Sequence, residues 1–133
     1  MHAKDHIYLH AGCPAKGRLE TLHSLNLSTL EWTTLPSGPA PGRGGTNLTP
    51  ISSSILACFG GFGGMELGGL DLYDVDGKQW SEVKTDQEPE KRSVASFLGV
   101  DGPKGVKAVL LMGERESAPA ELGHAGAGQV SFC

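Results

Sequence analysis

The residues that first suggest chemistry lie in a glycine-rich stretch, CFGGFGGMELGG. Glycines that open a helix can cradle a phosphate, and a dinucleotide site needs them at positions i, i+2 and i+5. Gly61 and Gly63 fit the first two positions, but Glu66 stands at the third, where its carboxylate would repel a pyrophosphate. The nearby Gly-Lys pair is followed by glutamine instead of the Ser or Thr of a P-loop. The stretch therefore does not predict a nucleotide site.

Two arginines are candidates for binding an anion. Arg43 and Arg92 are 49 residues apart, and they precede the strand-like runs GTNLTPI and SVASFLGV. The planar guanidinium can donate two hydrogen bonds to one carboxylate, which suits it to acidic ligands. The alternative is a structural arginine paired with backbone or with an acidic side chain. Both interpretations stay open, and Arg43 and Arg92 are the predicted ligand-binding residues.

Other reactive side chains lack partners at a useful spacing. The serine run 52–54 is not part of a G-x-S-x-G nucleophile elbow. Cys13, Cys58 and Cys133 are odd in number, lie far apart and form no C-x-x-C pair. This pattern predicts free thiols in a reducing compartment instead of a disulfide framework or a zinc site. No catalytic residue is predicted.

Composition limits the class of protein further. The chain has 133 residues, with 11 Lys and Arg against 15 Asp and Glu. A single domain without a basic stripe argues against nucleic acid as a partner. The 20 glycines favour many turns, as in an all-β protein. The sequence shows neither a signal-peptide core nor a membrane-length apolar run, so we expect no membrane partner and a cytoplasmic location.

The elements that would position these residues recur with a period near 50. Trp32 and Trp80 are 48 residues apart, in the similar segments SLNLSTLEWTTL and LYDVDGKQWSEV, in which Tyr73 takes the place of Leu25. Apolar and polar residues alternate in both segments, which predicts strands.

Glycines follow the same repeat. The apolar runs IYLHAG, ILACFGG and VLLMGE each end in or near glycine. Gly12 aligns with Gly61, and Gly60 aligns with Gly113 after a longer step of 53 residues. A glycine pair lets the chain leave a sheet without an obstructing side chain. In the third run this pair is expected at Gly113-Glu114.

A repeat of about 50 residues built from short strands resembles the kelch-repeat family of the galactose oxidase/kelch superfamily. The resemblance implies an all-β fold, a partial kelch-type β-propeller of about two and a half four-stranded antiparallel blades. Its units are 6–35, 43–83 and 92–133, the last being incomplete. The implied structural motif residues, with the aromatic ones packed between blades, are Gly60, Gly61, Tyr73, Trp80, Trp32 and Gly113.

The loop GERESAPAELGHAGAG, residues 113–128, resembles a loop of the nitrile-specifier-like subset of kelch proteins. That resemblance implies an Fe(II) site of the pattern E-x-x-x-D-x-x-x-H. Glu116 and His124 have the required spacing, but Ala120 replaces the aspartate. Losing one carboxylate from three ligands weakens a divalent site. The alternative is an ordinary surface-loop histidine.

The resemblance implies a kelch-type interaction module, a piece of a larger propeller with no cofactor. Its blade-edge loops would contact a protein partner or a small acidic ligand, and open blade edges would permit self-association. One alternative is an Fe(II)-dependent enzyme acting on glucosinolate-type aglycones. Another is a non-functional truncated copy.

Overall fold

The computed structural model describes residues 5–115 and 127–131, which form ten β-strands and no helix. The strands, in chain order, are β1 His6–Gly12, β2 Leu19–Asn26, β3 Trp32–Leu35, β4 Asn47–Pro50, β5 Ile55–Phe62, β6 Glu66–Asp74, β7 Gln79–Val83, β8 Ser96–Gly102, β9 Gly105–Leu111 and β10 Ala127–Ser131. The predicted all-β fold is confirmed. Within this part of the chain, no helix is long and apolar enough to cross a membrane.

The strands form three antiparallel sheets, here called blades 1, 2 and 3. Blade 1 has the order β1-β2-β3, blade 2 the order β4-β5-β6-β7, and blade 3 the order β8-β9-β10. Blade 2 is a complete four-stranded meander. Among the described residues, blade 1 has no counterpart of β4 and blade 3 has no counterpart of β7. Ten strands are compatible with about two and a half blades of a propeller.

Matching turns set the register of the hairpins in blades 1 and 2. Oδ1 of Asn26 accepts hydrogen bonds from the amides of residues 28 and 29, and Oδ1 of Asp74 accepts from those of residues 76 and 77. Short polar side chains favour such turns because they replace backbone partners. As a result Leu25 pairs with Trp32 in blade 1, and Tyr73 pairs with Trp80 in blade 2.

A kinked dipeptide lies at or just after the end of β1, β5 and β9, which are equivalent strands of the three blades. Both residues of each dipeptide have positive φ in Ala11-Gly12, Gly60-Gly61 and Met112-Gly113. In blade 3 the pair therefore lies one residue earlier than the expected Gly113-Glu114. Gly113 aligns with Gly61 instead of Gly60, and the true step is 52 residues.

The kink allows close approach between neighbouring blades. The N–H of Gly12 donates to the carbonyl of Arg43 over 2.9 Å, and the N–H of Gly61 donates to the carbonyl of Arg92 over 3.0 Å. A Cβ at Gly60 would collide with that same Arg92 carbonyl, so glycine is required there for steric as well as conformational reasons.

Two apolar clusters lie between the blades. The cluster between blades 1 and 2 consists of buried Leu22, Leu56 and Tyr73, with Tyr8, Leu35, Leu48, Val75 and Trp80 packed against it. The cluster between blades 2 and 3 consists of buried Ala57, Phe59, Leu70, Phe97, Ala108 and Leu110. Burial of this apolar surface is the main favourable term that holds the blades together.

Candidate functional site

A cleft of ≈ 300 Å³ opens between blade 2 and the linker that precedes it. Its lining, here called the arginine cleft, is formed by Pro39, Ala40, Arg43, Gly68, Gly69, Asp71 and Glu82. The two glycines leave its wall on β6 without side chains. A smaller hollow of ≈ 220 Å³ lies between blades 1 and 2 around Tyr8 and Lys78. The arginine cleft is the better candidate because three charged side chains line it, one of them the predicted ligand-binding residue Arg43.

Arg43 forms part of the cleft wall and is itself buried. Its Nε donates to the carbonyl of Pro41, Nη1 to that of Gly60 and Nη2 to that of Pro39, each over 3.2 Å. The guanidinium therefore ties the linker to the kinked end of β5. Such charge-assisted hydrogen bonds fix its orientation firmly.

Arg92 occupies the equivalent position in blade 3 and is also buried. Its Nε donates to the carbonyl of Glu90 over 3.0 Å and its Nη1 to that of Met112 over 2.9 Å. These bonds repeat the pattern of Arg43, with Met112 in place of Gly60. Both arginines have a structural role. Whether either also binds a ligand stays a prediction.

Asp71 and Glu82 are directly opposite each other on β6 and β7. Asp71 is buried and Glu82 is exposed. Burial raises the pKa of Asp71; the Arg43 guanidinium opposes this shift and the Glu82 carboxylate adds to it. Like charges opposite each other on neighbouring strands are destabilising, and the Arg43 guanidinium offsets part of this repulsion. The cleft thus has two carboxylates against one guanidinium.

Behind the cleft, His10 of blade 1 contacts Cys58 of blade 2. Nδ1 of His10 lies 3.7 Å from Sγ of Cys58, and the imidazole lies 5.1 Å from the Trp80 ring, centroid to centroid. Burial, with a smaller contribution from Arg43, lowers the pKa of His10 to about 4. Burial raises the pKa of the Cys58 thiol to about 12.

Both shifts act against a nucleophile-and-base pair near neutral pH. The Cys58 thiol stays protonated, whereas a reactive cysteine needs a lowered pKa. The imidazole stays neutral. Its Nε2 is buried and has no hydrogen-bond partner among residues 5–115 and 127–131. We conclude that His10 and Cys58 form a structural contact between blades.

His10 and Cys58 were not identified from the sequence as neighbours. They are 48 residues apart and meet only because two blades pack face to face. The repeat did contain a signal: His10 lies two residues before Gly12, where blade 2 has Phe59 before Gly61. A histidine where the next unit has phenylalanine indicates a polar side chain at a position that packs in the interior.

The aromatic motif residues differ in their surroundings. Tyr73 is fully buried, and its ring lies 5.1 Å from that of Trp80. Trp80 also donates its indole N–H to the carbonyl of Pro36 in the linker after blade 1. Trp32, at the same position of blade 1, is 57% exposed, because no described residue covers that face as blade 1 covers Trp80.

The two predicted iron ligands, Glu116 and His124, lie outside the described residues. Within the residues that the structure describes, no three His, Cys, Asp or Glu side chains are grouped so that they could hold a metal ion. The iron site therefore stays a prediction that only a direct measurement can test.

The comparison with known proteins supports the kelch family. A segment of 47 residues is 53% identical to Kelch domain-containing protein 2 from Bos taurus. The match covers 34% of this chain and 12% of that protein. No family model matches the chain. The relation to the nitrile-specifier-like subset and the cytoplasmic location stay predictions.

Proposed function

We propose that this chain acts as a kelch-type interaction module that binds a protein partner at the arginine cleft. Similarity to a kelch protein supports the general class, because kelch domains commonly bind proteins. The observation that carries the proposal is the pair of facing carboxylates, Asp71 and Glu82, in a concave site. A buried carboxylate with a raised pKa in a cleft is a candidate for a functional site, and a concave surface with a few convergent polar groups is the usual form of a binding site.

The charge of the cleft indicates the chemistry of this partner. The Arg43 guanidinium already uses three of its five N–H donors on carbonyl oxygens, and an acidic group that approached the other two would meet two carboxylates. A lysine or arginine side chain of a partner would instead relieve the repulsion between Asp71 and Glu82. We therefore propose a protein segment with a basic side chain, in preference to a small acidic ligand.

Selection of random short peptides displayed on phage would test this function. We expect enriched peptides to contain Lys or Arg. Binding of the synthetic peptides, followed by fluorescence anisotropy, should weaken about tenfold in Asp71→Asn or Glu82→Gln, which corresponds to the loss of one close charge pair. Glu88→Gln is the matched control, because Glu88 is exposed and lies outside the cleft.

Three results would contradict the proposal. Enrichment of acidic peptides that bind the carboxylate variants equally well would favour the acidic-ligand hypothesis. Equal weakening in Glu88→Gln would indicate a non-specific charge effect. Absence of any enrichment over an unrelated β-protein would show that the cleft is not a peptide site.

A further inference from the structure

Two neighbouring glycines of β6 lie outside the paired registers of blade 2. On the β5 side the register jumps between Phe59 and Gly61, so that one residue of β5 lies opposite two of β6, Gly68 and Gly69. Such a two-against-one arrangement is a β-bulge, which leaves its extra residue unpaired. On the β7 side the register begins only at Leu70. Among the described strands, the two glycines therefore have no partner on that side.

The main chain of Gly68 and Gly69 forms a short open edge at the arginine cleft. Both glycines line the cleft. Within the part of the chain that the structure describes, no turn or loop hydrogen bond joins their backbone to another segment. An unpaired strand edge presents N–H and C=O groups that can pair with another chain. Glycine within a strand often marks a place where another backbone approaches closely.

Gly69 keeps the space in front of this edge open. Its φ is +89°, in the left-handed region that favours glycine. A Cβ built on Gly69 would meet no atom within 4 Å. The conformation of the bulge therefore requires glycine here, and no packed neighbour does. Because Gly69 lines the cleft, the main chain of a partner can enter the space that a side chain would fill.

The linker on the other side of the cleft is less suited to main-chain pairing. Proline has no backbone N–H. The carbonyl of Pro39 accepts from Nη2 of Arg43, and the carbonyl of Pro41 accepts from Nε of the same side chain. The main chain of a partner is therefore paired more favourably with β6 than with the linker.

The two carboxylates of the cleft lie within side-chain reach of this edge. Asp71 follows Gly69 by two residues on β6, a separation of about 7 Å along a strand. Glu82 lies opposite Asp71 on β7. A segment paired with the glycines would therefore place the long side chain of a nearby lysine or arginine against both carboxylates.

We propose that the partner segment binds the arginine cleft in an extended conformation, with its main chain paired to Gly68 and Gly69 and a basic side chain between Asp71 and Glu82. Peptides that add to an exposed strand gain affinity from main-chain hydrogen bonds and specificity from side-chain contacts. This binding mode rests on the proposed function, which supplies the basic side chain, and it adds a contribution from the main chain.

Titrations of the whole chain, followed by nitrogen–proton correlation NMR, measure that contribution. One probe is a five-residue peptide, acetylated and amidated at its ends, with lysine at its centre and alanine elsewhere. The other is n-butylamine, which represents the lysine side chain alone. The peptide should bind at least about tenfold more tightly, because two further hydrogen bonds are worth about that factor or more. Glu82→Gln should weaken the binding of both probes about tenfold.

Gly69→Asn separates the main-chain contact from the charge. Asparagine tolerates positive φ better than most residues and places a side chain in the open space. The variant should weaken peptide binding at least about tenfold, through loss of the paired main chain, and change n-butylamine binding by less than about twofold. Gly64→Asn is the matched control. Gly64 also has positive φ and no atom within 4 Å of a Cβ, but it lies in the turn before β6, outside the cleft.

Methylation of the peptide's amide nitrogens, one at a time, makes the same test without changing the protein. A methyl group on an amide that pairs with β6 removes the donor and should weaken binding at least about tenfold. Near-ultraviolet circular dichroism checks that Gly69→Asn is folded. If it is not, the methylated peptides decide the question on wild-type protein.

The outcomes distinguish this binding mode from the proposed function. Equal affinity for the two probes, with no effect of Gly69→Asn or of any methyl group, would overturn the main-chain pairing and leave recognition of the basic side chain intact. Equal loss in Gly64→Asn and Gly69→Asn, with no effect of methylation, would also overturn it. Binding of neither probe at about 10 mM would overturn both.

Discussion

Protonation of His10 should make the stability of this protein depend on pH in a defined window. The imidazole is buried between blades 1 and 2, against Cys58 and Trp80 and near the Arg43 guanidinium. Its pKa falls from the ordinary value of 6.5 to about 4 in the folded chain. The unfolded chain therefore binds one more proton than the folded chain between these two values.

The sign and size of the effect follow from this difference. The folded state is favoured in full above the unfolded pKa of 6.5, and that advantage is lost as the pH falls towards the folded pKa of about 4. The complete window corresponds to about 3 kcal/mol of unfolding free energy. Between about pH 7.5 and about pH 5 we expect a loss of about 2 kcal/mol, a large part of the stability of a small domain.

Urea denaturation of wild type and His10→Phe across this pH range is the assay. Phenylalanine is the natural residue at the equivalent position 59, so the variant removes the titrating group and keeps an aromatic ring there. The loss of about 2 kcal/mol should disappear in His10→Phe and remain in His23→Gln, which keeps His10. A wild type whose stability is flat over the window, or a His10→Phe variant that keeps the slope, would refute the reasoning.

Three further predictions concern stability at neutral pH and are measured by urea denaturation at low protein concentration. Trp80→Ala should cost about 3 kcal/mol, because a packed ring and its hydrogen bond to the linker are lost, whereas Trp32→Ala at the exposed equivalent position should change stability by less than about 0.5 kcal/mol. Equal costs for the two variants would contradict the blade assignment. Arg43→Lys should cost about 2 kcal/mol, since an ammonium cannot reach three carbonyls in the guanidinium plane; the exposed Arg18→Lys is the control and should be neutral. Asn47→Ala should cost about 2 kcal/mol, because the buried amide ties β4 both to β5 and to the start of blade 3, and an unchanged midpoint would show that these bonds are replaced by water.

Much of the fold could be predicted because its determinants are local. The alternation around Tyr73, the turn at Asp74 and the tryptophan at position 80 all lie within one hairpin, and the structure pairs Tyr73 with Trp80. The kinked pair of blade 3 was expected at Gly113-Glu114, one residue too late in the chain. The kink is defined by positive φ, and Met112 adopts positive φ although it is not glycine. The amino-acid sequence alone does not reveal a backbone conformation that packing imposes.

The candidate site was predicted only in part. Arg43 was selected from the repeat, but the sequence does not show that its donors bind three carbonyls. Asp71 and Glu82 are 11 residues apart, and only the register of β6 with β7 places them opposite each other. Their charge is the basis on which we propose a partner opposite in sign to the one that the arginine alone suggested.

The sequence by itself determined the strands, the hairpin turns and the order of the blades, because these depend on residues close together in the chain. Tertiary structure decided what each blade faces. Trp32 and Trp80 have the same place in the repeat, yet one is exposed and the other is packed, since within residues 5–115 and 127–131 only the second has a blade against it. In the same way the chain contains an ordinary histidine at position 10, and only burial between two blades lowers its pKa, because desolvation is a property of the surroundings and not of the residue.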